Sequence, residues 1–109
     1  MRLKQGDIIK LDFNPVKGSE QAGFRPAVVI SGDTFNRISS NVFVCPVTNT
    51  NKEYPAHIAL DSRTATKGFI MCDQVRTISP AGRQARYIEN LPGDILEDVL
   101  DIVKGILED

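Results

Sequence analysis

The stretch Pro26-Ala27-Val28-Val29-Ile30 decides the fold class, because four apolar residues follow one another directly after a proline. A short continuous apolar run of this kind is typical of a buried, central β-strand. Proline is tolerated at the first position of a strand, where its missing N–H is not required. We therefore predict a central strand that Pro26 opens.

The residues before this strand predict a second strand and a long loop. Residues 8–13 alternate in polarity and place Ile9, Leu11 and Phe13 on one face. Residues 14–24 contain glycines, a proline and small polar side chains, which is typical of a loop. Long ordered loops often carry function, and this one leads to Arg25 at the mouth of the central strand.

The residues after it predict further short strands and one helix. We expect strands at 42–47, ending at Thr48, at 56–60, and at 87–88 as a short edge. Residues 68–72 and 74–78 form two strands or one bent strand, and residues 34–40 hold one helical turn. From Asp94 onward apolar residues recur at helical spacing. Because only turns separate the strands, we predict one domain, residues 1–109, with a small curved antiparallel sheet or half-open SH3-like barrel and a C-terminal α-helix.

The charge distribution favours a partner that carries phosphates. Residues 1–86 hold 12 Lys and Arg against 7 Asp and Glu, whereas residues 87–109 hold 1 against 7. A chain whose residues 1–86 are basic can present a positive surface to phosphates even though its C-terminal segment is acidic. The acidic residues are also explained as the solvent-exposed face of the helix. We find no membrane-length apolar run and no secretion signal, so we expect a cytoplasmic protein with Cys45 and Cys72 as reduced, buried thiols.

Several catalytic chemistries are excluded by residue type. His57 is the single histidine, and the two cysteines are far apart in sequence, so we expect no metal site, no other cofactor and no histidine-pair nuclease. Polar residues at strand ends remain. Arg25 offers a fixed fork of donors to a phosphate, and the hydroxyl of Thr48 can reach a phosphoryl oxygen. On pattern alone, the interpretation of Arg25 as a surface ion pair with Glu20, and of Thr48 as an ordinary strand residue, is favoured.

Four blocks of the sequence resemble the MazF/PemK family of toxins from bacterial toxin–antitoxin systems. They are Gly6-Asp7-Ile8 with Asp12-Phe13-Asn14-Pro15, residues 18–31 (GSEQAGFRPAVVIS), residues 44–48 (VCPVT) and residues 72–78 (CDQVRTI). The blocks occur in the family's order across residues 6–79, and a C-terminal helix follows. Four ordered blocks in a chain of 109 residues are far more specific than one short match.

The resemblance implies a homodimeric endoribonuclease that cleaves messenger RNA at short single-stranded sequences and is inhibited by a partner antitoxin protein. It also implies the β fold shared with the gyrase-poison toxin CcdB. Arg25 and Thr48 match the family's catalytic positions, and Glu20, Gln21, Asp73 and Gln74 match positions near its substrate groove. We expect catalytic roles for Arg25, Thr48 and Glu20. We expect RNA contacts from Ser19, Gln21, Asn49, Asp73, Gln74 and Arg76.

Departures from the family leave the base and the target sequence open. Some members have histidine where this chain has Ser19, or arginine where it has Met71, and many have aspartate where it has Ser79. Without a metal or a histidine pair, we expect the RNA's own 2′-hydroxyl to attack phosphorus, with Glu20 as the candidate base. Two alternatives remain from the sequence: a gyrase-poison toxin on the same fold, and an SH3-like binding module without activity.

Overall fold

The computed structural model describes residues 2–13, 24–50 and 54–108. Within these ranges the elements are β1 Asp7–Asp12, β2 Phe24–Val29, α1 Asp33–Ile38, β3 Val42–Thr48, β4 His57–Ala59, β5 Phe69–Met71, β6 Arg76–Ile78, β7 Arg86–Asn90 and α2 Gly93–Glu108. The predicted β-rich fold with a C-terminal helix is confirmed. No helix in the described ranges combines the length and the apolarity of a membrane-spanning segment.

All strand pairs of the sheet are antiparallel, as predicted. The strand order is β4-β5-β3-β2-β1-β7, and β6 also pairs with β3. Residues 68–72 and 74–78 therefore contain two strands, of which β5 pairs with the end of β3 and β6 with its beginning. β4 and β7 lie at the two ends of this order and do not pair with each other, so the sheet is open. This confirms the predicted half-open arrangement.

The central strand β2 begins at Phe24, two residues earlier than predicted. Arg25 therefore lies inside the strand and not directly before it. The physical reason is that Pro26 pairs with Lys10 of β1, while the ladder to β3 begins only at Ala27. Proline lies beyond the end of the second ladder, where a missing N–H is tolerated.

The sheet is buried on both faces, which explains the continuous apolar run of β2. Along β2, Val28 faces one core, and Ala27 and Val29 face the other. The first core lies between the sheet and α2, whose Ile95 and Val99 are buried in it. The second core lies on the opposite face and contains Leu3, Ile9, Leu11, Ala27, Val29, Val42, Val44, Ile78 and Ala85.

The predicted burial of the two cysteines is confirmed, and they lie close together. Cys45 and Cys72 are free and buried in the core beneath α2. Val47 of β3 pairs with Ile70 of β5 in an antiparallel ladder. Cys45 is two residues before Val47 and Cys72 is two residues after Ile70, so the register places the two cysteines opposite each other. Interaction with the Cys72 side chain, together with burial, raises the pKa of Cys45.

Candidate functional site

Arg25 and Thr48 lie on the same face of adjacent strands. Ala27 pairs with Pro46, and Val29 pairs with Val44, between β2 and β3. Arg25 is two residues before Ala27, and Thr48 is two residues after Pro46. Because side chains alternate between faces with a period of two, both residues lie on the face of the second core, at the same end of the two strands.

The surroundings of each residue follow from its strand. Arg25 is half-buried, and in the β1–β2 ladder it pairs with Leu11 of β1. Thr48 ends β3 and pairs with Phe69 of β5, and its hydroxyl oxygen accepts a hydrogen bond from the backbone N–H of Thr50 at 3.2 Å. The hydroxyl proton of Thr48 thus remains available as a donor to a bound group.

Arg76 lies on this same face of the sheet. It pairs with Val44 in the β3–β6 ladder, so its side chain shares the face of Val44 and of the second core. Its guanidinium carbon stands 5.0 Å from the ring centroid of Phe13, which follows β1. This cation–π contact holds Arg76 across a face that also carries Arg25. Two cations on this face make it suited to an anionic partner.

A cavity of about 340 Å³ opens beside Thr48. Two of the predicted RNA-binding residues, Asp73 and Gln74, lie in it, in the turn between β5 and β6. A hydrogen bond of 3.1 Å from the N–H of Gln74 to the carbonyl of Met71 closes that turn. The walls of the cavity are formed by Thr48, Thr50, Tyr54, His57, Met71, Asp73 and Gln74.

The sequence did not single out Tyr54 and His57, which complete this cavity. His57 begins β4 and pairs with Met71 of β5. Its Nε2 lies 3.5 Å from Oδ1 of Asp73, and the ring of Tyr54 packs edge-on against it at 5.2 Å between centroids. The sequence did contain a signal for His57. Side chains of a strand alternate between its two faces, so a strand at residues 56–60 places His57 on the opposite face from the core residue Ile58.

The His57 side chain is buried and asymmetrically bonded. Its exposure is 7%, against 29% for the side chain of Asp73. Its Nδ1 is buried and makes no hydrogen bond to the part of the chain that the structure describes. Nε2 is thus the ring nitrogen that faces the carboxylate of Asp73.

Asn49, which was also predicted to contact RNA, lies elsewhere. Asn49 is exposed and lines a second cavity of about 450 Å³ with Lys10 and Phe24, not the cavity beside Thr48. Glu20, Ser19 and Gln21 lie outside the described residues.

Comparison with known proteins decides the family. The sequence model of the PemK-like, MazF-like toxins of type II toxin–antitoxin systems matches residues 4–107. The chain belongs to this family. The endoribonuclease toxin MazF of Escherichia coli K12 is 36% identical over 100 residues, covering 92% of this chain and 86% of that protein. The endoribonuclease MazF of Staphylococcus saprophyticus is 36% identical over 111 residues, covering 95% and 92%.

Solved structures of the MazF family have the same fold. The MazE–MazF crystal structure from Deinococcus radiodurans superposes with a TM-score of 0.89 at 30% identity, covering 98% of this chain and 96% of that chain. The blocks that carry the MazF/PemK resemblance converge in this fold. Residues 44–48 end at Thr48 beside the cavity, and residues 72–78 supply Asp73 and Gln74 to its wall and Arg76 to the face of Arg25.

Proposed function

We propose that this chain is a sequence-specific endoribonuclease toxin that cleaves single-stranded messenger RNA without a metal ion. The observation that carries the proposal is the placement of Arg25 and Thr48 at the same end of β2 and β3, on one face, beside a polar cavity. The endoribonuclease names of its relatives support the same activity.

The reaction uses the 2′-hydroxyl of the RNA as nucleophile. Its oxygen bonds to the adjacent phosphorus, and the bond from phosphorus to the 5′-oxygen breaks. The products are a 2′,3′-cyclic phosphate and a 5′-hydroxyl. Arg25 stabilises the charge that grows on the phosphoryl oxygens, and Thr48 donates a hydrogen bond to one of them. Glu20 remains the candidate that removes the 2′-hydroxyl proton, and the leaving 5′-oxygen takes up a proton from Arg25 or from solvent water to give the 5′-hydroxyl.

We propose that the toxin is a homodimer inhibited by a cognate antitoxin. The Deinococcus radiodurans structures contain MazE with MazF, which supports a protein inhibitor of this class. Pairing is supported by the edge strand β7, where Tyr87 and Ile88 are exposed. An acidic antitoxin segment would occupy the surface that attracts RNA.

We place the single domain, residues 1–109, in the cytoplasm, where messenger RNA is found.

The test is incubation of the purified chain with a single-stranded RNA of mixed sequence, followed by mapping of the fragment ends. Cleavage at a defined short sequence supports the proposal. A chain that binds RNA or gyrase without cutting RNA contradicts it, and would favour the gyrase-poison toxin or the SH3-like binding module.

A further inference from the structure

The cavity beside Thr48 has the size and the chemistry of a site for one planar polar ring. Its volume of about 340 Å³ lies at the lower end of the range of small-ligand pockets, about 300–1,000 Å³. The rings of Tyr54 and His57 form one part of its wall, and Asp73, Gln74 and Thr50 bring polar groups. Unstacked RNA bases are bound in this way, by an aromatic ring on the face and hydrogen bonds on the edge.

We propose that this cavity holds one nucleobase next to the scissile phosphate, and that Asp73, positioned by His57, selects a base with an exocyclic amino group over uracil. The inference rests on the proposed function, because it names what the same site reads. Thr48 belongs both to the cavity and to the face of Arg25, so a base in the cavity adjoins a phosphate held by Thr48.

The selectivity follows from the hydrogen bonds that a carboxylate can make. An ionised carboxylate only accepts, so Asp73 pairs with the amino group of adenine, cytosine or guanine. Uracil has carbonyl oxygens on both sides of its single N–H, and one of them would face the carboxylate. The amide of Gln74 both donates and accepts, so it complements the neighbouring edge atom of each amino-bearing base. The base preference is therefore assigned to Asp73 and not to Gln74.

His57 is a positioning residue for Asp73. The backbone at Asp73 lies in the tight turn after β5, but its side chain is partly exposed and needs a partner to keep one rotamer. His57 provides it: its side chain is nearly buried, Tyr54 packs against its ring, and its Nε2 lies 3.5 Å from Oδ1 of Asp73. A carboxylate held before the base arrives loses less entropy on binding, so it discriminates more strongly.

The test is cleavage of RNAs that differ by one base around the cut, with kcat and KM measured for each. The wild-type chain should disfavour uracil at one position by about 5- to 150-fold in kcat/KM, the range expected for a good pair of hydrogen bonds to a base edge. Asp73→Asn turns an acceptor into a group that also donates, so the discrimination at that position should fall below about threefold. His57→Gln should lower it part of the way, through KM more than through kcat.

Asp98→Asn is the matched control, because it makes the same chemical change on the exposed face of α2. It should keep the full base preference. The affinity for RNA is measured separately, with an uncleavable RNA that has a 2′-deoxy sugar at the cut. A loss of affinity is then distinguished from a loss of cleavage rate.

The outcomes separate the two proposals. If the wild-type chain cuts none of the RNAs, the proposed function fails. If it cuts them but tolerates uracil equally at every position, or if Asp73→Asn keeps the wild-type preference, the inference is overturned and the ribonuclease stands. A His57→Gln variant that folds, as judged by circular dichroism, and discriminates like the wild type would remove His57 from the proposal.

Discussion

Gly68 passes so close to Thr48 that a side chain does not fit between them. A Cβ on Gly68 would lie 2.4 Å from the carbonyl oxygen of Thr48, and the φ angle of Gly68 is +121°, which side chains rarely adopt. The carbonyl of Gly68 also accepts a hydrogen bond of 2.9 Å from Leu60. The end of β3 is therefore positioned by direct backbone contact as well as by its ladder with β5.

Gly68→Ala should impair both stability and cleavage. The clash and the unfavourable φ together should lower the free energy of unfolding by about 2–4 kcal/mol, because the neighbour is backbone and cannot rotate away. Urea unfolding and RNA cleavage measure the two effects. Gly105→Ala is the control, since nothing lies within 4 Å of its added Cβ in the exposed helix, and it should stabilise by about 0.5–1 kcal/mol. A Gly68→Ala chain as stable and active as the wild type would contradict this contact.

Arg25→Ala should lower the cleavage rate by at least about 10²–10³-fold while the chain stays folded, because it removes a preorganised donor to the phosphate. Arg25→Lys should recover only part, since lysine keeps the charge but not the planar fork. Thr48→Ala should lose less than Arg25→Ala, because a neutral hydroxyl is the weaker partner of an anion. Single-turnover kinetics measure these rates, with the exposed Arg37→Ala of α1 as control. Near-normal activity of Arg25→Ala would place the active site elsewhere.

Cleavage should continue in excess chelator and should require the 2′-hydroxyl. An RNA with one 2′-deoxy sugar before the cut should bind but stay intact, because its nucleophile is missing. Mass spectrometry of the fragments should show a 2′,3′-cyclic phosphate, or its hydrolysed form, and a 5′-hydroxyl. Activity that chelator removes and magnesium restores would overturn the mechanism.

The stability contributed by Glu89 should depend on pH. Its carboxylate on β7 accepts hydrogen bonds from the backbone N–H groups of Ala65 and Thr66 and from the hydroxyl of Thr66, at 2.7–3.1 Å. Burial opposes the charged form, but these hydrogen bonds prevail and lower the pKa of Glu89 below its usual 4.5. The contribution is thus complete above about pH 4.5 and is lost as the pH falls through the lower pKa of the folded state.

Glu89→Gln should therefore destabilise the chain at pH 7 by at most about 0.5–1 kcal/mol, because solvent screens this partly exposed carboxylate, and by less at pH 3. Thermal unfolding at both values measures this difference. Glu97→Gln on the exposed face of α2 is the matched control for the same chemical change. An equal loss at both pH values would mean that the charge of Glu89 is not the stabilising feature.

The thiols should be inert in the folded chain. Both side chains are fully buried in the core beneath α2, so a reagent reaches neither sulfur unless this core opens. An aromatic disulfide reagent at pH 8 should titrate both thiols at once in denaturant and neither within minutes in buffer. Rapid reaction of the native chain would show that this core opens readily.

The sequence alone predicted the elements whose signals are local. Uninterrupted apolar residues predicted β2, and helical spacing predicted α2, although its last apolar residues, Ile106 and Leu107, are exposed. The start of β2 was predicted wrongly. A strand can continue through Pro26 because the ladder to β3 begins only at Ala27, and the sequence does not show where that ladder begins. Arg25, Thr48, Asp73 and Gln74 were proposed from the motifs of the MazF/PemK family.

Only the tertiary structure brought Tyr54 and His57 to Thr48 and Asp73. These residues are far apart in sequence, and they meet because β4 pairs with β5, which pairs with the end of β3. In a sheet, a shift of one residue in register moves every side chain to the other face. Local patterns predict each strand but not its partner or its register, so the wall of the cavity was decided by pairing between distant strands.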